Sequence, residues 1–161
     1  MKKLLSHLTL LLKTGGSQDT VLAAVLDAVL SHFHSETGTI HRLTAEPPQL
    51  PLLHLAAQKG LPPQLLDIVS TIPVGKGIAG QVVAQGCPVT MCNLQTDTSG
   101  VAKPGARQTG VGGALCVPIR RAGQIVGTLG IGTRREYEYT PAETTLLEEI
   151  GGLIGATWQP V

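Results

Sequence analysis

Gly75-Lys76-Gly77-Ile78-Ala79-Gly80 spells the GxGxxG pattern that invites a dinucleotide-binding reading, and the residues on either side of it contradict that reading. In a dinucleotide fold the glycines end a buried strand, let the backbone approach a pyrophosphate, and open a long helix whose N-terminus faces the anion. Here the preceding run Ile68-Val69-Ser70-Thr71-Ile72-Pro73-Val74 carries a proline where a central strand needs an N–H donor. The following run, Gln81-Val82-Val83-Ala84-Gln85, lasts little more than one helical turn before Gly86-Cys87-Pro88. No βαβ pattern of about 30 residues encloses the motif, and a lone match of this kind is weak evidence for a nucleotide.

The composition around the motif narrows the choices further. A chain of 161 residues fits one domain and can bury a core without a metal or disulfide staple. A net charge of +1, with 14% charged residues, offers no basic field able to neutralise several phosphates, so no nucleic-acid partner is expected. The aromatic set is Phe33, Tyr137, Tyr139 and Trp158, too sparse for a base-stacking platform. Met1-Lys2-Lys3-Leu4-Leu5 imitates the start of a secretory signal, but His7 and Lys13 interrupt the apolar stretch. No run approaches the roughly 20 apolar residues of a membrane span, so a soluble protein without a membrane partner is expected. Cys87, Cys92 and Cys116 cannot all pair within one chain, which suits free thiols and a cytoplasmic location.

Working outward from the glycines, the hydrophobic period changes several times. Leu4, Leu5, Leu8, Leu11 and Leu12 form one stripe on a helix over about residues 2–14, which stops at Gly15-Gly16. Ser17 can cap a second helix, whose wide apolar face runs from Val21 and Leu22 to Phe33. Thr39 to Leu43 and Leu52 to Ala57 read as strands joined by the turn Ala45-Glu46-Pro47-Pro48-Gln49. Leu61-Pro62-Pro63 starts a short helix to about Val69, because proline is tolerated in a first turn. Val89 to Cys92 is a brief strand, and Asn93 to Gly112 is a long polar loop of the kind that is often functional. Ala114 to Arg121 and Gln124 to Gly132 make a hairpin around Ala122-Gly123. Thr140-Pro141-Ala142-Glu143 opens a final amphipathic helix with a capping box and proline at its first position. Helices flanking a block of antiparallel strands make the class α+β.

Taken in order, the two opening helices, Gly60-Leu61, Gly75-x-Gly77-Ile78-Ala79-Gly80, Cys87-Pro88-Val89, Val117-Pro118-Ile119, Gly127-x-Leu129 and Tyr139-Thr140-x-x-Glu143-x-x-Leu146-Leu147 resemble a GAF domain. The likeness covers about residues 17–155 of a single domain spanning 1–161. It implies a central antiparallel sheet of about five or six strands, with the N- and C-terminal helices on one face and loops or short helices over a pocket on the other. It also implies a sensor of small molecules whose terminal helices join two copies or contact a signalling partner. No kinase, cyclase or DNA-binding module is evident, so a stand-alone sensor is expected. Carried over by position, the ligand-binding candidates are Met91, Cys92, Asp97, Thr98, Ser99, Thr109, Gly113 and Cys116, with Gly77 at the rim. The small polar loop and the lack of aromatics favour a small polar or anionic ligand.

Other members of the family test the alternatives. The cyclic-nucleotide binders carry an Asn-Lys, Phe, Asp-Glu signature late in the domain, and here no phenylalanine follows Phe33 and no Asp-Glu pair exists. A bilin site has no counterpart. His41 and His54, the possible haem ligands, lie on the polar side of strand alternation and read as surface residues. The free methionine-R-sulfoxide reductases carry one thiol within the glycine motif, where Ala79 stands, and another in the loop that here contains none. Catalytic residues, a cofactor and a metal are therefore not expected, with a thiol-dependent reductase and a dimerisation module with a vestigial pocket as the alternatives. His32-x-His34 cannot share an ion on a helix, since the two side chains point about 200° apart.

Overall fold

A computed structural model describes residues 2–14, 16–44, 51–92 and 111–158. Two helices open the chain, α1 (Lys2–Lys13) and α2 (Gln18–Phe33). The Ser17 hydroxyl accepts the Thr20 N–H at the start of α2, and His34 ends that helix in the left-handed region at φ 51°. The strands follow as β1 (Thr37–Thr44) and β2 (Leu52–Lys59), then a 3-10 turn (Pro63–Leu65) running into α3 (Leu66–Val69). After these come β3 (Thr71–Pro73), α4 (Gly77–Gln85), β4 (Val89–Met91), β5 (Gly113–Arg121), β6 (Gln124–Thr133) and α5 (Pro141–Thr157). Six strands form one antiparallel sheet in the order β3-β2-β1-β6-β5-β4.

Pro73 sits in β3 at the edge of this sheet, where a missing donor leaves no central ladder broken. The helix after it is longer than the apolar run alone suggests. It begins at Gly77, so the last four residues of the glycine motif are its first turn. Ala122 and Gly123 both have positive φ, 51° and 80°, which is the geometry of a two-residue turn whose twist matches the β5–β6 hairpin.

One face of the sheet carries the main core. Ile40 of β1, Leu115, Val117 and Ile119 of β5, and Leu129 and Ile131 of β6 share a buried cluster with the apolar faces of α2 and α5 and with Leu8 of α1. Each such Leu, Ile or Val contributes about 1.5–3 kcal/mol by leaving water. Trp158 closes the far end, fully buried, with the Arg42 guanidinium 4.8 Å from its ring. Thr140 and Glu143 form the capping box of α5, each satisfying the other's backbone N–H. Along α5, Gly151 and Gly155 face β5 so closely that a Cβ on Gly151 would lie 3.2 Å from the Pro118 carbonyl and one on Gly155 would collide with that of Arg120. The helix backbone therefore rests directly on the strand. Among the described residues no helix is long and apolar enough to cross a membrane.

Candidate functional site

Strand alternation sends the other half of the same residues to the opposite face. There β1 presents Thr37, Thr39 and His41, which lie across from Gly132, Gly130 and Thr128 of β6. On the other flank Ala114 and Cys116 of β5 pair with Gly132 and Gly130. The two glycines leave a depression in the sheet. A Cβ on Gly130 would lie 3.1 Å from Thr39 Oγ1 and 3.6 Å from Cys116 Sγ, and one on Gly132 would lie 2.7 Å from Thr37 Oγ1. Over the depression pass Leu61, Leu65, Ile68, Val69 and Ile72 from one side, and Gly77, Ile78 and Ala79 of α4 from another, leaving a part-open cavity of about 170 Å³.

The glycine motif forms part of this wall and is closed on itself. The Gly75 N–H donates to the Gly80 carbonyl at 2.9 Å and the Lys76 N–H to that of Pro73 at 3.1 Å. The Gln81 side-chain amide donates to the Gly75 carbonyl at 2.9 Å. Gly80 has no room for a side chain, since a Cβ would lie 2.6 Å from the Pro73 carbonyl. Two backbone donors that a phosphate cradle would use are thus already engaged, and Lys76 is exposed outside the cavity lining.

His41 is the polar group that matters most here, and its position corrects the surface reading. It is 2% exposed and lines the cavity, whereas His54 is exposed. The polar side of β1 is not the wet side, because α3 and the turn before it cover it. His41 Nε2 lies 2.9 Å from the Val69 carbonyl oxygen. A carbonyl can only accept, so Nε2 carries the proton and Nδ1 of the neutral ring is a bare acceptor. No protein group satisfies that Nδ1. Burial holds the imidazole pKa below its ordinary value, against the opposing effect of the Val69 bond, so the ring stays neutral.

The thiols are placed apart. Cys116 is buried in the cavity wall, and burial pushes its pKa up to about 12. Cys92 is exposed, with Sγ 3.8 Å from Glu136 Oε1. Local desolvation and the carboxylates of Glu136 and Glu138 raise its pKa, the reverse of what an attacking thiolate needs. Cys87 is exposed beside Gln85. Among the described residues no group of three His, Cys, Asp or Glu side chains could hold a metal ion, and His34 lies beyond the end of α2.

Of the residues carried over by position, Gly77 and Cys116 meet in the cavity wall. Met91 is buried instead in a small cluster with Val111, Ala114 and Ile78, while Cys92 faces outward and Gly113 packs against Tyr137. Asp97, Thr98, Ser99 and Thr109 lie outside the described residues. Residues 93–110 of the polar loop behind the expectation of a small polar or anionic ligand also lie outside the described residues, and the cavity walls can be read only from the rest. Among the described residues they are mostly hydrocarbon, with no Lys, Arg, Asp or Glu. Thr37, Thr39 and His41 were missed as site residues, although Gly130-x-Gly132 at strand period signals a face stripped of side chains.

This layout, a six-stranded antiparallel sheet with terminal helices behind and a cavity in front, matches known proteins. The family model described as GAF domain matches residues 16–159, and the chain belongs to that family. No curated protein matches by sequence. Among solved structures, the GAF domain of A. aeolicus nlh2 in an inactive state superposes with a TM-score of 0.75 at 20% identity, covering 96% of this chain and 93% of that one. The GAF domain of an Acinetobacter phosphoenolpyruvate-protein phosphotransferase gives 0.78 at 18%, covering 96% and 90%. A free methionine-R-sulfoxide reductase from Neisseria meningitidis, in complex with its substrate, gives 0.77 at 16%, covering 97% and 86%. At these identities the likeness is one of fold, and it spans signalling domains and enzymes alike.

Proposed function

We propose that this chain is a single, non-enzymatic GAF domain that binds a small ligand in the cavity and passes occupancy through its terminal helices to a second copy or a signalling partner. The observation that carries this reading is the cavity itself, lying between the sheet and the α3–α4 cover and touching strands that also form the helix-packed core. Along β5, Ala114 and Cys116 face the cavity while Leu115, Val117 and Ile119 lie in that core. A ligand that favours one arrangement of β5 therefore favours one arrangement of α5, and only such a difference in affinity can transmit a signal.

The reductase reading requires a thiolate beside the substrate. Two cysteines and one alanine argue against it: Cys116 is buried with its pKa raised, Cys92 has its pKa raised by desolvation and by neighbouring carboxylates, and Ala79 occupies the thiol position of the reductase motif. The test is a thermal-shift and native mass-spectrometry screen of small molecules, run beside a thioredoxin-coupled assay with free methionine-R-sulfoxide. A ligand at about 100 times its Kd should add about 2.7 kcal/mol of stability, or roughly 5–10 °C in Tm. Reductase turnover abolished by Cys92→Ser or Cys116→Ser would overturn the sensor reading. A native mass confined to the monomer at micromolar concentration would remove the dimer.

A further inference from the structure

We propose that the cavity takes a compact, largely hydrocarbon molecule, a single small ring or its equivalent, bearing one hydroxyl or N–H that donates to His41 Nδ1. This deepens the sensor reading and rests on it, by naming the chemistry of the ligand.

Size sets the first limit. A dry apolar void of about 150 Å³ holds one benzene. The 170 Å³ here is of the same order, enough for one six-membered ring with a small substituent. The walls set the second. Leu61, Leu65, Ile72 and Ile78 present hydrocarbon, and no charged side chain among the described residues reaches the lining. The described lining offers an ionised ligand no counter-charge to offset its desolvation, whereas hydrocarbon gains by leaving water.

His41 sets the third limit, and it is the specific one. Its Nε2–H is committed to the Val69 carbonyl, which fixes the tautomer and leaves Nδ1 able only to accept. Nδ1 is buried and unpaired, and leaving such an atom unpaired costs about 1–3 kcal/mol. The atom is closed off at rest, so a ligand must part the wall slightly to reach it, and one that then donates a proton recovers part of that cost. A ligand of the same shape without a donor does not. The Thr37 hydroxyl donates to the Gly132 carbonyl at 3.3 Å and the Thr39 hydroxyl also lines the cavity, so the loss of the preference in a His41 variant is what separates the imidazole from these two.

Three ring compounds of similar size separate the possibilities: phenol donates, fluorobenzene offers only a weak acceptor, and toluene offers neither. Binding to the full chain is measured by thermal shift and by NMR titration. Phenol should bind about tenfold more tightly than toluene or fluorobenzene, and the His41 Nδ1 nitrogen resonance should move with phenol alone. In His41→Leu the preference should collapse to within about twofold. If that variant fails to fold, the nitrogen shift in the unaltered protein still decides. Equal binding of all three compounds overturns the role of His41 and leaves the sensor reading standing. Acetate stabilising the protein more than phenol overturns the proposed ligand class. Binding of none of them, together with no hit in the wider screen, overturns both this proposal and the sensor reading beneath it.

Discussion

The two faces of the sheet are made by the same strands and built to opposite ends. On the helix side, β1, β5 and β6 offer Ile40, Leu115, Val117, Ile119, Leu129 and Ile131, all large and buried against α2 and α5. On the cavity side the alternate positions hold Thr39, His41, Cys116, Gly130 and Gly132, mostly small, and among the described residues the cover leaves a cavity above them. Interiors pack at crystal-like density wherever stability alone is at stake. A face left under-filled beside one packed so fully points to a division of labour, with one side holding the fold and the other leaving room.

The sharpest way to break that comparison is to empty the packed side. Leu147→Ala or Ile150→Ala, both fully buried, should cost about 2–5 kcal/mol by urea unfolding. A loss below about 1 kcal/mol would show that the helix face is not one tight core. Next comes a pair on the same helix. Gly155→Ala must push against the Arg120 carbonyl and should cost about 1–3 kcal/mol. Gly152→Ala, with open space around the new methyl, should stabilise by about 0.5–1 kcal/mol through helix propensity. On the cavity side the same kind of change should act differently. Gly130→Ala displaces the Thr39 hydroxyl by a few tenths of an ångström, so stability should stay within about 1 kcal/mol while ligand-induced stabilisation shrinks.

Acid provides a smaller test of His41. Its folded-state pKa lies below the ordinary 6.5, so the unfolded chain binds the proton first and unfolding is favoured as pH falls. The stabilising contribution is present above pH 6.5 and is lost below it, towards the depressed folded value. In His41→Leu this part of the stability–pH curve should flatten. The smallest effect is expected for Cys92→Ser, whose exposed thiol makes a 3.8 Å contact to Glu136, and which should leave the unfolding free energy within about 0.5 kcal/mol.

Local signals made the helix side readable in advance. The leucine stripe of α1, the Ser17 cap, the Thr140–Glu143 box and the Ala122-Gly123 turn each depend on residues a few positions apart, and all were found where the sequence placed them. The cavity side depends on residues brought together from Thr37 to Gly132, and its cover comes from a stretch with no strong period. His41 shows the limit most clearly. Alternation told correctly which face it occupies but not that Leu65, Val69 and their neighbours roof that face over. Burial of a strand's polar side is decided by an element elsewhere in the chain. The glycine motif was legible from its neighbours as something other than a pyrophosphate loop, whereas its place beside a pocket came from the family resemblance and not from its own spacing; Gly77, Ile78 and Ala79 line the cavity.

The contact of Gly151 and Gly155 with β5 has a mechanical consequence. Where two elements meet through side chains, a small shift in one is absorbed by a change of rotamer and dies out within a few ångströms. Here the α5 backbone lies against the strand's own carbonyls, at Pro118 and Arg120, with only the stiff, β-branched Ile119 side chain beside them. The joint has no slack. A displacement of β5 by a fraction of an ångström must either carry the helix axis with it or open a gap, and the gap is the costlier course. Two glycines that look like weaknesses in a helix thus make α5 a stiff lever, with its short arm on the strand that borders the cavity.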